Sequence, residues 1–319
     1  MNLWQEYLRP TNLSQALQAF AEASGPILPI AGGTDLLLDL EQGRHSPVHT
    51  LVDVTSIVEM TALQVRGAEL FIGAALPVNR IVLDTLAGAH AQALTEACNL
   101  IAGPQVRNVA TLGGNVAHAL PAADGTIALL ALSAQAEVAF ALPKSIGTAL
   151  APSARTGVVS GASDNERSRS ASTRRVPFKE LFIGPGKSSL KHGQELLVGF
   201  YLPLSKANQA SCFKRIMRPQ GVALPIINLA IWLERTNDII SQIRIAVGPG
   251  GPTPWSGTQA EKALLGKPLN AETFHAALEA LLSQVGFRSS ARRASSDYRR
   301  HIVSGLFKDV LETAWGRAS

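Results

Sequence analysis

Cysteine is nearly missing from this chain of 319 residues, which holds two, Cys98 and Cys212. A pair makes one bridge at most, so no disulfide framework is expected and a reducing compartment is. The same scarcity excludes an iron–sulfur cluster held by four thiolates of this chain. Aromatics make up only 5%, and Ala, Leu, Val and Gly supply the apolar mass, which suits layered helices and strands better than an all-β sandwich. No stretch reaches the roughly 18 consecutive apolar residues of a membrane span. The opening Met1-Asn-Leu-Trp-Gln-Glu-Tyr7 has no basic segment leading into an apolar run, so no signal peptide is expected and the location is read as cytoplasmic. GxGxxG and phosphate-loop lysine motifs are also missing, which argues against a Rossmann domain or an NTPase. No Ser-His-Asp or paired-carboxylate arrangement stands out, so no catalytic side chain is assigned.

The formal net charge of +5 is not spread along the chain. Between Lys144 and Arg175 lie six cations (Lys144, Arg155, Arg167, Arg169, Arg174, Arg175) against two anions (Asp164, Glu166), so one stretch carries +4 of it. The remainder is almost neutral, which weakens a nucleic-acid reading. Residues 143–173 are rich in Ser, Ala, Gly and Arg with neither helical nor strand periodicity. They are expected to be a disordered, solvated insertion, with order resuming at Val176.

What the chain does have is two Gly-Gly corners, Pro29-Ile-Ala-Gly-Gly-Thr-Asp-Leu36 and Thr111-Leu-Gly-Gly-Asn115. Each interrupts an apolar run and is followed by small polar residues. Gly has no Cβ and tolerates positive φ, so backbone amides can face a bulky anion there. Two such loops converging on one ligand would cradle a pyrophosphate, each giving amides and a polar side chain.

Periodicity places a helix over about 12–23 with Thr11 as its cap, then a strand at Ile27, a helix through Leu36–Leu40 and a strand at Leu51. A second unit runs from about Glu69 through helices at 77 and 91–101 to a strand at Ala136–Phe140. Strands at 195–202, 212–217, 222–234 and 239–247 are followed by helices at 258–265, 270–285 and 296–314, the last capped by Ser296 or Asp297. Strands then helices imply an α+β domain with helices on one face.

The run Ile101-Ala-Gly-Pro-Gln-Val-Arg-Asn-Val-Ala-Thr-Leu-Gly-Gly-Asn115 resembles the FAD-binding medium subunit of the molybdenum hydroxylases, the group of xanthine dehydrogenase and carbon monoxide dehydrogenase. Ala31-Gly-Gly-Thr-Asp35, Phe182-Ile-Gly-Pro-Gly-Lys187 with Glu195-Leu-Leu197, and Ser296-Asp-Tyr-Arg-Arg300 agree. The resemblance implies an α+β protein: an FAD-binding PCMH-type domain at 1–178, made of two α/β subdomains (about 1–56 and 57–178), then a C-terminal CO-dehydrogenase-flavoprotein-like domain at 179–319. It implies that Pro29, Ile30, Ala31, Gly32, Gly33, Thr34, Asp35 and Leu36 surround the FAD pyrophosphate, with Thr111, Gly114 and Asn115 closing over it. Asp124 matches an acidic residue near the nucleotide end, and Ile101, Leu197 and Lys214 match flavin-ring contacts.

The implied activity is oxidoreductase electron transfer, from iron–sulfur clusters through FAD to an external acceptor. The molybdenum cofactor and the clusters would sit on a large and a small partner subunit, in a heterotrimer or a dimer of heterotrimers. FAD is expected to be non-covalent, because no His lies between Pro29 and Leu36 to attach it. Two other readings stay open: a self-contained flavin oxidoreductase, and a basic scaffold or nucleic-acid-binding protein using residues 144–175.

Overall fold

A computed structural model describes residues 2–140, 171–218, 224–291 and 293–318. The first unit comprises β1 (Glu6–Leu8), α1 (Leu13–Glu22), β2 (Ile27–Ile30), α2 (Leu36–Glu41) and β3 (Thr50–Asp53), with a parallel sheet in the order β1-β3-β2. Helix α1 buries Leu13, Ala16, Leu17 and Phe20, the apolar stripe expected from helical spacing. Its cap is Asn12, not Thr11. Asn12 has extended backbone and its side-chain oxygen accepts the Gln15 amide at 2.9 Å, whereas the Thr11 amide and hydroxyl both donate to Gln15 Oε1.

The second unit runs α3 (Val58–Thr61), β4 (Leu63–Arg66), β5 (Glu69–Gly73), α4 (Val78–Leu83), α5 (Thr85–His90), α6 (Gln92–Leu100), α7 (Pro104–Arg107), α8 (Leu112–Ala117), α9 (Asp124–Ala131), β6 (Gln135–Phe140) and β7 (Ser172–Pro177). Of the expected insertion at 143–173, residues 143–170 lie outside the described residues. Strand β7 starts at Ser172, paired to Phe140, four positions ahead of the expected return to order. After the hairpin β8 (Phe182–Gly184) and β9 (Lys187–Ser188) comes β10 (Glu195–Pro203).

Strand β10, expected in the C-terminal domain, pairs with strands of the second unit. The sheet order is β4-β5-β10-β6-β7, so a strand assigned to the C-terminal domain is the middle of the FAD-binding half. The reason is visible in its composition: Leu196 through Leu202 are all buried, as an apolar run between two neighbours must be.

The third unit holds β11 (Gln209–Ile216), β12 (Ile227–Thr236), β13 (Ile239–Gly248) and β14 (Trp255–Ser256) in an antiparallel sheet of that order, then α10 (Thr258–Leu264), α11 (Ala271–Gln284) and α12 (Ser296–Arg317). Side chains alternate across it. Cys212, Leu229, Ile231 and Ile245 join the core with α10–α12, while Phe213, Ala230, Trp232 and Ala246 join the core of the FAD-binding half. Helices therefore cover both faces, because α6 and α9 of the preceding unit lie against the second one. Ser295, not Ser296 or Asp297, caps α12 by accepting the Tyr298 amide at 3.1 Å. Across the seam, Glu96 accepts the Phe213 amide at 2.7 Å and pairs with Arg317 at 2.6 Å, and Ser211 Oγ accepts the Ala93 amide at 3.0 Å.

Candidate functional site

The three units meet around a cleft of about 1070 Å³. Small-ligand sites run to about 1,000 Å³, so this one has room for a large small-molecule ligand. Of the residues singled out in the sequence, Pro29, Ile30, Ala31, Gly32, Gly33, Thr34, Asp35, Leu36, Ile101, Thr111, Gly114, Asn115 and Asp124 all line it.

The first corner follows β2 and rests on the chain just ahead of the second. A Cβ on Gly32 would sit 2.1 Å from the Val109 carbonyl oxygen, so only glycine permits this approach. Gly33 has φ +66°, the left-handed region that favours glycine. The amides of Gly32, Gly33, Thr34, Asp35 and Leu36 have no hydrogen-bond partner among the described residues. Asp35 leaves the start of α2 without a side-chain cap. A run of open amides at the edge of a cleft is an anion cradle.

The second corner is built differently from the expectation. Its amides are already used: Leu112 to Leu76 O at 3.3 Å, Gly113 to Ala74 O at 2.8 Å, Gly114 to Thr111 Oγ1 at 3.1 Å and Asn115 to Thr111 O at 3.1 Å. Thr111 is the N-cap of α8. A Cβ on Gly113 would lie 2.6 Å from Ala74, whereas one on Gly114 would meet only Thr111 Oγ1, at 3.2 Å. This loop therefore offers the cleft a close bare surface rather than amides. Upstream, Arg107 donates to the carbonyls of Ile101 at 3.1 Å and Ala102 at 2.8 Å, clamping Ala102 at φ +45°.

Asp124 closes the cleft floor and does not cap α9, whose cap residue Ala123 makes no side-chain bond. Its carboxylate reaches into the third unit, where it pairs with Arg215 and accepts from Asn228 Nδ2 at 2.7 Å. Burial pushes this carboxyl above the ordinary aspartate value, opposed by Arg215 and Asn228.

Two expected ring contacts are not in the cleft. Leu197, in the central strand β10, is buried in the core instead. Lys214 shares its face of β11 with Cys212, so it points at α12, donating to Asp309 at 2.6 Å and Thr313 at 3.1 Å. Its neighbour Arg215 lies on the opposite face and lines the cleft. Sequence reasoning missed Arg215, Pro249, Arg288, Arg293 and Arg299. Strand alternation shows that residues 214 and 215 part company, but it does not say which side holds the cleft. The buried Arg299 donates to Ile226 O at 2.9 Å and to Arg288 O. Burial and the neighbouring Arg293 and Arg288 pull its guanidinium below the ordinary value.

Among the described residues no group of three or more His, Cys, Asp or Glu is placed to hold a metal ion, and no helix is long and apolar enough to cross a membrane.

Two family models match the chain: an FAD binding domain in molybdopterin dehydrogenase over residues 3–142, and a CO dehydrogenase flavoprotein C-terminal domain over residues 211–314. The chain is 30% identical to the xanthine dehydrogenase FAD-binding subunit of Escherichia coli O157:H7, over 97% of this chain and 95% of that one. It is 26% identical to the carbon monoxide dehydrogenase medium chain of Hydrogenophaga pseudoflava, over 98% of each. The solved structure of Hydrogenophaga pseudoflava carbon monoxide dehydrogenase, in a form lacking the Mo-pyranopterin moiety, contains a chain that superposes with a TM-score of 0.83. That match is 25% identical and covers 99% of this chain and 98% of the other.

Proposed function

The chain belongs to the FAD-binding subunits of the molybdopterin dehydrogenases, a family of oxidoreductases, and on that premise we propose that it is the electron-transfer subunit of a multisubunit molybdenum hydroxylase. Bound FAD supplies a ring that stores electrons between the iron–sulfur clusters of a small partner and an external acceptor. A large partner carries the molybdenum cofactor, and the assembly is a heterotrimer or a dimer of heterotrimers.

Residues of this chain fit the cofactor. The single observation that carries the reading is the row of open amides from Gly32 to Leu36 at the edge of the cleft. These hold the diphosphate, and Gly33 supplies the turn that aims them. Gly114 lets the second corner close against the same group, with Asn115 beside it. Ile101, clamped by Arg107, gives an apolar wall to an aromatic ring. FAD is held without a covalent link, since residues 29–36 contain no His.

Purified protein incubated with FAD should acquire flavin absorbance in about equal molar amount, and a protein that stays colourless would refute the assignment. Substrate oxidation should appear only when the two partner subunits are added. Turnover by this chain alone would favour a self-contained flavin oxidoreductase.

A further inference from the structure

We infer that an arginine rim on the third unit, Arg218, Arg288 and Arg293 with the exposed Met217, Leu224 and Tyr298, is a docking face for an acidic electron-carrier protein that serves as the external acceptor. The inference rests on the electron-transfer reading above and names the class of the acceptor.

Hydrogen bonds join the rim into one piece. The Ile226 amide donates to Ile216 O at 2.8 Å, so Met217 and Arg218 leave β11 where Leu224 and Pro225 lead into β12. Arg299, in the first turn of α12, donates to Ile226 O at 2.9 Å and to Arg288 O. Arg218 Nη2 donates to Arg293 O at 3.2 Å. Arg218 and Arg288 are exposed and Arg293 is half-buried. Leu224, Arg288 and Arg293 also border the cofactor cleft.

The charge on this rim is unanswered. Eight arginines elsewhere in the chain each pair with a carboxylate. Among the described residues none of Arg218, Arg288, Arg293 or Arg299 does so, and the nearby Asp297 of α12 joins no ion pair. After burial, the charges of Arg293 and Arg288 are what lower the Arg299 guanidinium, so three cations stand within electrostatic reach of one another.

Guanidinium groups alone would suit any anion. Here they adjoin large apolar side chains left in water: Leu224 is 58% exposed, Tyr298 47% and Met217 37%. Arg, Tyr and Met are the residues in which protein contact surfaces are enriched. Unpaired positive charge selects an acidic partner and speeds its arrival. Permanent subunit contacts are large and apolar, whereas redox encounters are small and charged. A charged rim beside the cofactor cleft therefore suits a visitor rather than a resident subunit, and the visitor of an electron-transfer subunit is its acceptor. Each docked carrier takes one electron. Two carriers in turn take the pair stored on FAD, and the two protons of the reduced ring pass to water.

The test uses the full chain loaded with FAD, reduced by light under nitrogen. It is mixed by stopped flow with acidic cytochrome b5 or basic cytochrome c, each a one-electron haem acceptor. Reoxidation by cytochrome b5 should slow about tenfold from about 50 to about 300 mM salt. Residues 144–169 carry cations of their own, so the variants decide. Arg218→Glu should slow cytochrome b5 about fivefold and flatten its salt dependence, with cytochrome c as fast as before or faster and FAD content unchanged. Adding Arg288→Glu should bring the loss to about twentyfold.

Equal cytochrome b5 rates in wild type and Arg218→Glu would overturn the inference. So would an effect of Arg218→Glu confined to reoxidation by NAD, which would assign the rim to a small phosphate-bearing acceptor. Loss of FAD from Arg218→Glu would assign it to the cofactor and overturn the inference as well. Wild-type chain that binds no FAD would strike the electron-transfer reading instead, before any carrier is added.

Discussion

The two Gly-Gly corners share a sequence pattern and have opposite construction. From Gly32 to Leu36 the amides are open, whereas from Leu112 to Asn115 every amide is bonded within the protein. In both pairs the first glycine serves packing: Gly32 meets the Val109 carbonyl and Gly113 meets Ala74. Only the second glycine of each pair, Gly33 or Gly114, is free of backbone pressed against its Cβ position. A Gly-Gly pair thus marks where chain segments touch closely. Whether it also supplies donors depends on what the neighbouring carbonyls have already taken.

That contrast can be broken most directly at Gly33. A β-branched residue at φ +66° would twist the open amides out of line, so Gly33→Val should cut FAD affinity by about a hundredfold and yield protein purified without flavin. Gly32→Ala should come next. Its Cβ would collide with the Val109 carbonyl, lowering stability by about 3 kcal/mol in urea unfolding and releasing FAD as the corners part. Thr111→Ala removes the cap of α8 and should cost about 1 kcal/mol, with FAD bound more weakly because the second corner loosens. Gly114→Ala should be milder still, because its Cβ meets only Thr111 Oγ1. Affinity should fall by less than about tenfold with stability within about 0.5 kcal/mol. If Gly114→Ala abolished FAD binding while Gly33→Val did not, the roles of the two corners would be reversed.

The smallest effect expected is a pH dependence in the sheet that carries the first corner. Burial raises the Asp53 carboxyl, but Thr55, Tyr7 and Arg9 outweigh it, so its folded pKa lies below the ordinary 3.8. Its stabilisation is complete above that value and is lost as pH falls through the folded one. The stability gap between wild type and Asp53→Asn should therefore close on acidification, as measured by thermal melting.

Helices with a strong stripe, such as α1, and apolar runs such as β5 and β10 were legible because burial leaves a local periodic mark. Caps were misplaced by one or two residues at both ends of the chain, Thr11 for Asn12 and Ser296 or Asp297 for Ser295, since neighbouring polar residues compete for one amide and only geometry decides. Residues 29–36, Ile101, Thr111, Gly114, Asn115 and Asp124 all border the cleft, because the corners that bring them there are encoded locally by glycine. Leu197, Lys214 and Arg215 were not legible in the same way. Their surroundings depend on which sheet accepts β10 and which face of β11 turns to α12, and those are long-range choices. The partner of Asp124 was hidden for the same reason, as Arg215 lies 91 positions along the chain.

Strand β10 lies between β5 and β6 although hairpin β8–β9 and everything from 141 to 194 intervene between it and β6. During synthesis, the ribosome must therefore emit nearly two-thirds of the polypeptide before this sheet can zip shut. A fragment stopping at 178 would leave two apolar edges staring at each other across a gap. Such a fragment should aggregate more readily than one extended through Pro203, which closes the sheet and leaves only the face of α6 and α9 uncovered.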